Sequence, residues 1–328
     1  MKHYLYLLCA LAVMSCETVS DIEIGVTSNK LDLRGELNSD SVIQVALLST
    51  RITTDNLIDP YRLKSEAEVS LFRDGEFVET LVRKARTYEG EFETYYLSSS
   101  GLKPETGSMY SVEISASGFE SIRAETVVPA QVNVTDIEFL RQQTPITNGY
   151  YGHPVTIWFE DDPDVENFFI VETYLKSIYE ERRDNGDGNI EIYQEINDYK
   201  TEIAPRTYYG KGIGDDNPFE FEIYFSDAQL DGGSVKRFDF FIRTYEDGLD
   251  PFLGKDEISD DSYTYTTKMY VRLKHITKEH FEYKRTALAQ MNKIEDPFAE
   301  PVLIRSNVEG GFGIFSVYTS ADSKEISD

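Results

Sequence analysis

Residues 67–81 read A-E-V-S-L-F-R-D-G-E-F-V-E-T-L. Ala67, Val69 and Leu71 alternate with polar neighbours, the period-two signature of a strand with one buried face. Asp74-Gly75 interrupts the run, and Asp-Gly suits the positive φ angles of a tight hairpin turn. Working outward, Leu31 to Leu37 and Val42 to Leu48 form an earlier strand pair. Tyr110, Val112, Ile114 and Ala116 alternate again, Gly118 breaks the run, and Ile122, Ala124, Thr126 and Val128 resume it. About seven short strands in about a hundred residues, with no amphipathic helix among them, predict an antiparallel β-sandwich domain over 26–130.

Pro129 cannot donate to a sheet ladder, so a strand is expected to stop there. A second, β-rich domain is expected over 131–328, its strands at Val132 to Phe139, Val155 to Phe159, Phe168 to Leu175, Phe219 to Phe225, Phe238 to Tyr245 and Tyr263 to Leu273. The polar segments 180–189, 209–217 and 246–262 read as long loops, where binding determinants usually sit. One helix is predicted at 278–291. Thr277 is its N-cap, Ile276 and Phe281 form a hydrophobic staple, and Phe281, Leu288 and Met291 can share a face. The expected fold is therefore mainly β, two antiparallel sandwich-like domains with one short C-terminal helix.

Length agrees with two domains, since single cores stop growing near about 250–300 residues and this chain has 328. The 32 Lys plus Arg against 59 Asp plus Glu give a net charge of −27. That charge repels phosphate backbones, and without a basic patch it argues against nucleic-acid binding. Apolar material at 40 % of the chain, with 22 Tyr and 19 Phe, suffices for packed cores.

The first residues read as an address. Lys2 and the apolar stretch from Tyr4 to Met14 make a signal peptide over 1–15, too short to span a bilayer. Val13-Met14-Ser15-Cys16 has the spacing of a bacterial lipobox, in which the cysteine sulfur takes a diacylglycerol before cleavage ahead of Cys16. Cys9 would leave with the peptide. Cys16 would then be the lone mature cysteine, which acylation explains. Residues 16–25 read as a tether; Glu17 is not the Asp that signals inner-membrane retention, and Glu17, Asp21 and Glu23 resemble the surface-export tether of Bacteroidota lipoproteins, which implies the outer membrane, its face undetermined with the cell surface slightly favoured.

Chemistry is sparse. No H-E-x-x-H, G-x-S-x-G or phosphate-cradling loop occurs. Gly210-Lys211-Gly212-Ile213-Gly214 lacks the sixth-position glycine of a dinucleotide fingerprint. Asp184, Asp187 and Asn189 are the candidate calcium ligands, because Ca²⁺ takes clustered oxygens; a hairpin tip between Tyr179 and Ile192 explains the same residues. Asp161, Asp162, Asp164 and Glu166 form a second acidic cluster, and Asp256, Glu257, Asp260 and Asp261 a third. Paired carboxylates hydrolyse glycosides at separations of about 5–9 Å, which loop spacing cannot establish. His153, His275 and His280 need no function. The expectation is no enzyme, no catalytic residue and no cofactor beyond the acyl lipid on Cys16.

Two resemblances sharpen this. Leu102-Lys103-Pro104-Glu105-Thr106 followed by Tyr110 is similar to the corner of fibronectin type III modules, where a Tyr hydroxyl pins the turn into a core strand; it implies an immunoglobulin/fibronectin-like first domain. Asp296-Pro297-Phe298-Ala299-Glu300-Pro301-Val302 and Ser306-Asn307-Val308-Glu309-Gly310-Gly311-Phe312-Gly313-Ile314-Phe315 resemble the ending of a Bacteroidota outer-membrane lipoprotein family, domain of unknown function 4249. Gly310, Gly311 and Gly313 then permit a tight approach into a strand that closes the second unit. Such lipoproteins often accompany TonB-dependent receptors, which implies an accessory or ligand-binding partner in nutrient uptake. A structural or adhesive envelope protein without small ligand is the alternative, and a carboxylate-based hydrolase the third reading.

Overall fold

The computed structural model describes residues 30–52, 58–62, 66–88, 91–147, 149–184, 190–205, 220–230, 233–243, 258–260, 263–291, 300, 302–321 and 324–326. The first unit holds β1 (Lys30–Asn38), β2 (Gln44–Ile52), β3 (Ile58–Arg62), β4 (Ala67–Arg73), β5 (Glu76–Thr80), β6 (Val82–Tyr88), β7 (Glu91–Leu97), β8 (Met109–Ala116) and β9 (Ile122–Val127). The second holds β10 (Asn133–Phe139), β11 (Thr144–Thr147), β12 (Tyr150–Glu160), β13 (Phe168–Asp184), β14 (Ile190–Thr201), β15 (Ile203–Pro205), β16 (Ile223–Ser226), β17 (Val235–Arg243), β18 (Ile258–Asp260) and β19 (Tyr263–Ile276). Helix α1 (Lys278–Met291) and strands β20 (Val308–Glu309), β21 (Phe312–Ser320) and β22 (Lys324–Ile326) finish the chain.

Alternation becomes burial. Leu31, Leu33, Val45 and Leu47 on one sheet meet Val69, Leu71, Val112 and Ile114 on another to form the first core. Asp74 and Gly75 take φ 52 and 85 at the predicted hairpin, and β4 pairs β5 across them. The fibronectin-like corner is present: the buried Tyr110 hydroxyl accepts from the Glu105 N–H at 3.2 Å. A second core joins Phe159 and Phe240 to Phe169, Val171, Val271 and Leu273, and the Phe225 and Phe238 rings stack across it at 4.0 Å.

One long sheet serves both cores. It runs β14-β13-β19-β21-β1-β2-β7-β6, against β20-β9-β8-β4-β5 in the first unit and β10-β12-β17-β15 in the second. The two units are antiparallel sandwiches sharing that sheet, with one parallel pair among the described residues, β1 with β21.

That pair corrects the reading of the glycine-rich ending as closure of the second unit. Val308, Phe315 and Val317 belong to the first core. β21 lies between β1, with Leu33 opposite Gly313 and Gly35 opposite Phe315, and β19, with Lys274 opposite Ser320. Asn307 clamps it: its amide oxygen accepts from Phe315 N at 3.0 Å, and its amide nitrogen donates to Phe315 O at 2.7 Å and Glu125 O at 2.9 Å. The close approach explains the glycine: at Gly313, φ is 99 and an added Cβ would lie 2.0 Å from Leu33 O.

Two local readings also change. Residues 180–184 continue β13, which pairs with β14 as far as Asp184 opposite Ile190, so this part of the expected loop is strand, and 185–189 lie outside the described residues. Helix α1 has the predicted ends; Thr277 Oγ1 accepts from His280 N at 3.2 Å, and Phe281 joins Ile276 and Phe168. Its apolar face does not extend further, since Leu288 is 37 % and Met291 63 % exposed. The surface beneath is polar, so the contacts are polar: His280 is the buried residue of the helix, its Nδ1 3.1 Å from Ser316 Oγ, and Lys284 Nζ reaches Glu36 at 2.8 Å. The Glu36 carboxyl is held at about 2, because the His280 ring and Lys284 outweigh the upward push of burial.

Gly118 also has positive φ (86) but open space around its Cβ position. Gly118→Ala should cost about 1–2 kcal/mol, the left-handed penalty alone. Gly313→Ala should cost clearly more than that, with the excess reporting the Leu33 clash; urea unfolding of both variants checks it.

Candidate functional site

Where the C-terminal chain returns to the first sandwich, it leaves a groove. Met109 opens β8 on one wall, Glu125, Thr126 and Val127 end β9, Ser306 to Glu309 lead into β20, and Thr277 and Glu279 start α1. β20 pairs with the rim of β9, Val308 opposite Ala124 and Glu309 opposite Arg123, which fixes the groove's position. Its volume is about 580 Å³. Three carboxylates (Glu125, Glu279, Glu309), the Asn307 amide and the Thr and Ser hydroxyls stand among the apolar Met109, Val127 and Val308, a mixed lining whose charged groups are all acidic and so suit a hydroxyl-rich or cationic ligand rather than an anion. Thr126 Oγ1 in this wall is buried and makes no hydrogen bond.

The acidic clusters fare differently. Asp161 lies beside Asp227, which comes from the turn after β16; Asn167 donates to Asp161 Oδ1 at 3.0 Å and, through its backbone N–H, to Asp227 Oδ1 at 3.0 Å. Burial and the Asp227 carboxylate raise Asp161 to about 6, against the pull of Lys236 and Asn167. Asp162 and Asp164 are exposed. Asp227 lies 66 residues along the chain from Asp161, so no local pattern pairs the two. Asp187, Asn189, Asp256, Glu257, Asp261, Cys16 and the 210–214 glycines fall outside the described residues, while Asp184 ends β13 and Asp260 ends β18. No group of three or more His, Cys, Asp or Glu able to hold a metal ion occurs among the described residues.

A family model described as Domain of unknown function (DUF4249) matches residues 17–324. The chain belongs to that family. No curated protein matches it.

In this DUF4249 chain the distinctive ending, Ser306 to Phe315, thus has two consequences: Asn307 and Ser306 pin β21, and the same segment walls the groove. His153, His275 and His280 each pack into the fold. His275 Nδ1 lies 2.9 Å from Ala130 O with its ring 5.0 Å from Phe169, His153 packs on Phe139, and His280 keys the helix.

The most highly charged interior feature is one that alternation could not reveal. Glu172 on β13 is 1 % exposed. It receives Lys274 Nζ at 2.9 Å, Lys200 Nζ at 2.9 Å and Arg272 Nη1 at 3.1 Å, from β19 and β14 on either side. Glu222 shares Lys200 at 2.5 Å and accepts from the Tyr224 hydroxyl. Beyond it Tyr174 and Tyr270 stack at 5.3 Å, with the Arg272 guanidinium 4.8 Å from the Tyr174 ring. Burial alone would raise Glu172, but Lys274 and then Lys200 hold it at about 2.

The two shifts have opposite signs. The lowered Glu172 contributes stability that is full above its ordinary 4.5 and is lost as pH falls toward 2. The raised Asp161 contributes stability that is full below its ordinary 3.8 and is lost as pH rises through about 6. Glu172→Gln should therefore destabilise by about 3 kcal/mol at pH 7 and by much less near pH 2. Asp161→Asn should flatten the decline in stability between pH 4 and pH 7. Thermal melts across pH check both, and an Asp161→Asn profile parallel to wild type would count against the carboxyl pair.

Proposed function

We propose that the protein is an outer-membrane lipoprotein, anchored by diacylglycerol on Cys16, that serves a TonB-dependent receptor as accessory or ligand-binding partner in nutrient uptake. The observation that carries the reading is the Val13-Met14-Ser15-Cys16 spacing. The match to the family from residue 17 onward supports it, because that match begins at the residue after the acylated cysteine. The chain between Cys16 and Lys30 can reach at most about 50 Å fully extended, so the sandwiches would work close to the bilayer. The acidic groove between Thr126 and Asn307 is the place for a small polar ligand.

Cys16→Ser should abolish fatty-acid labelling and, because the sulfur takes its diacylglycerol before cleavage, leave residues 1–15 attached, which intact mass reads. Mild-detergent pull-down of the tagged wild type from native outer membranes should recover one TonB-dependent receptor in stoichiometric amount. Recovery of the lipoprotein alone, with its anchor intact, would overturn the receptor partnership, while a Cys16→Ser variant still labelled would overturn the anchor.

A further inference from the structure

The long hairpin ends the long sheet. Among the described residues β14 pairs only with β13, so the backbone groups along its other side face outward over 12 residues. Alongside the charged Glu195, Asp198 and Lys200 it exposes four large apolar or aromatic side chains: Ile192 is 67 %, Tyr193 44 %, Ile196 49 % and Tyr199 56 % exposed. Natural sheets blunt such edges with prolines, bulges or dense charge. β14 has no proline, and it pairs with β13 without a register shift from Thr201 to Ile190. Beyond Leu175, β13 adds nothing to the second core among the described residues, so the outer half of the hairpin stands clear of it.

The sequence of β14 is complementary to itself. In an antiparallel pair related by a two-fold axis normal to the sheet, residues on the same face meet. With Ile196 on the axis, Tyr193 of each copy lies opposite Tyr199 of the other, Gln194 opposite Asp198, Glu195 opposite Asn197 and Ile192 opposite Lys200. No like charges lie directly opposite, and each copy supplies aromatic pairs of the kind that stabilise sheets. Shifting the axis to Glu195 or Asp198 places two identical carboxylates face to face, and centring on Ile196 overlaps the strand from Glu191 to Thr201. Glu195 then meets its own copy only diagonally, while Asn197, which already donates to Glu195 at 3.1 Å within one chain, lies directly opposite.

We infer that β14 is a homodimer interface: two copies of this chain join edge to edge through antiparallel β14 strands with Ile196 on the two-fold axis, extending the long sheet across the dimer. This inference does not rest on the receptor reading. It also has an unusual salt dependence. Two copies each carrying −27 repel, so screening strengthens the dimer, whereas pairing with a basic partner would weaken.

The test uses residues 16–328 with Cys16→Ser, so that no acyl chain, apolar leader or native thiol joins two copies. Sedimentation up to ~100 μM should show a reversible dimer, weakened about tenfold or more by Ile196→Lys. Affinity should rise as salt goes from about 50 mM to about 500 mM. Directly opposite residues lie within disulfide range, so Ile196→Cys should oxidise to a covalent dimer under native conditions, and Asn197→Cys should do so far less. A monomer at every concentration, a dimer indifferent to Ile196→Lys, or equal cross-linking at both positions would overturn the inference, as would a β14 edge found occupied by a strand from a different protein.

Discussion

Everything in this molecule depends on one strand being inserted late between two others. β21 lies parallel to β1 and antiparallel to β19, so the start, middle and end of the chain become neighbours in one sheet. Without it the first core loses Phe315 and Val317, and the two sandwiches lose the strand that makes their shared sheet continuous. The chain admits it through small residues. Gly313 passes against the Leu33 carbonyl, and Gly35 makes room for the Phe315 ring, where an added Cβ would stand 2.8 Å from the ring carbon. Pairing across some 280 residues carries a large loop-closure cost, repaid only once the buried contacts of both cores are in place.

Around that strand the protein uses charge where a smaller fold would use hydrocarbon. Glu172 amid three cations and Glu36 beneath His280 and Lys284 both sit on the outer face of the long sheet, one beyond the helix and one under it. Buried ion pairs contribute less net stability than apolar packing of the same volume, but removing one partner is costly. Their effect is to fix strand order and helix position: Lys200, Arg272 and Lys274 satisfy Glu172 only when β14, β13 and β19 lie side by side. The same polar surface explains a helix whose buried residue is a histidine and whose Leu288 and Met291 remain exposed.

The groove and the β14 edge lie on different elements. The groove forms where the returning chain meets β9 and the start of α1, and its acidic lining needs all three segments. The β14 edge lies at the far margin of the long sheet, where the hairpin outruns its core. A polar ligand and a protein partner could thus be held at separate places without competing.

What was legible in the sequence is what local physics controls. Alternation at Ala67–Leu71 and Ile122–Val128 reports a half-buried strand because side chains change face at every residue; Asp74-Gly75 reports a turn because few dipeptides tolerate positive φ; Thr277 reports a helix start because its hydroxyl satisfies a backbone donor three residues on. The corner at Tyr110 and the glycine-rich ending were visible as resemblances to known families, not from periodicity. Tertiary structure alone decided which strands are neighbours, because ladder hydrogen bonds are alike whichever strands make them. It therefore decided that the ending closes the first core rather than the second, that Asp161 faces Asp227, and that Glu172 gathers cations from two flanking strands. Each of those outcomes depends on distances between residues far apart in the chain, which no local pattern encodes.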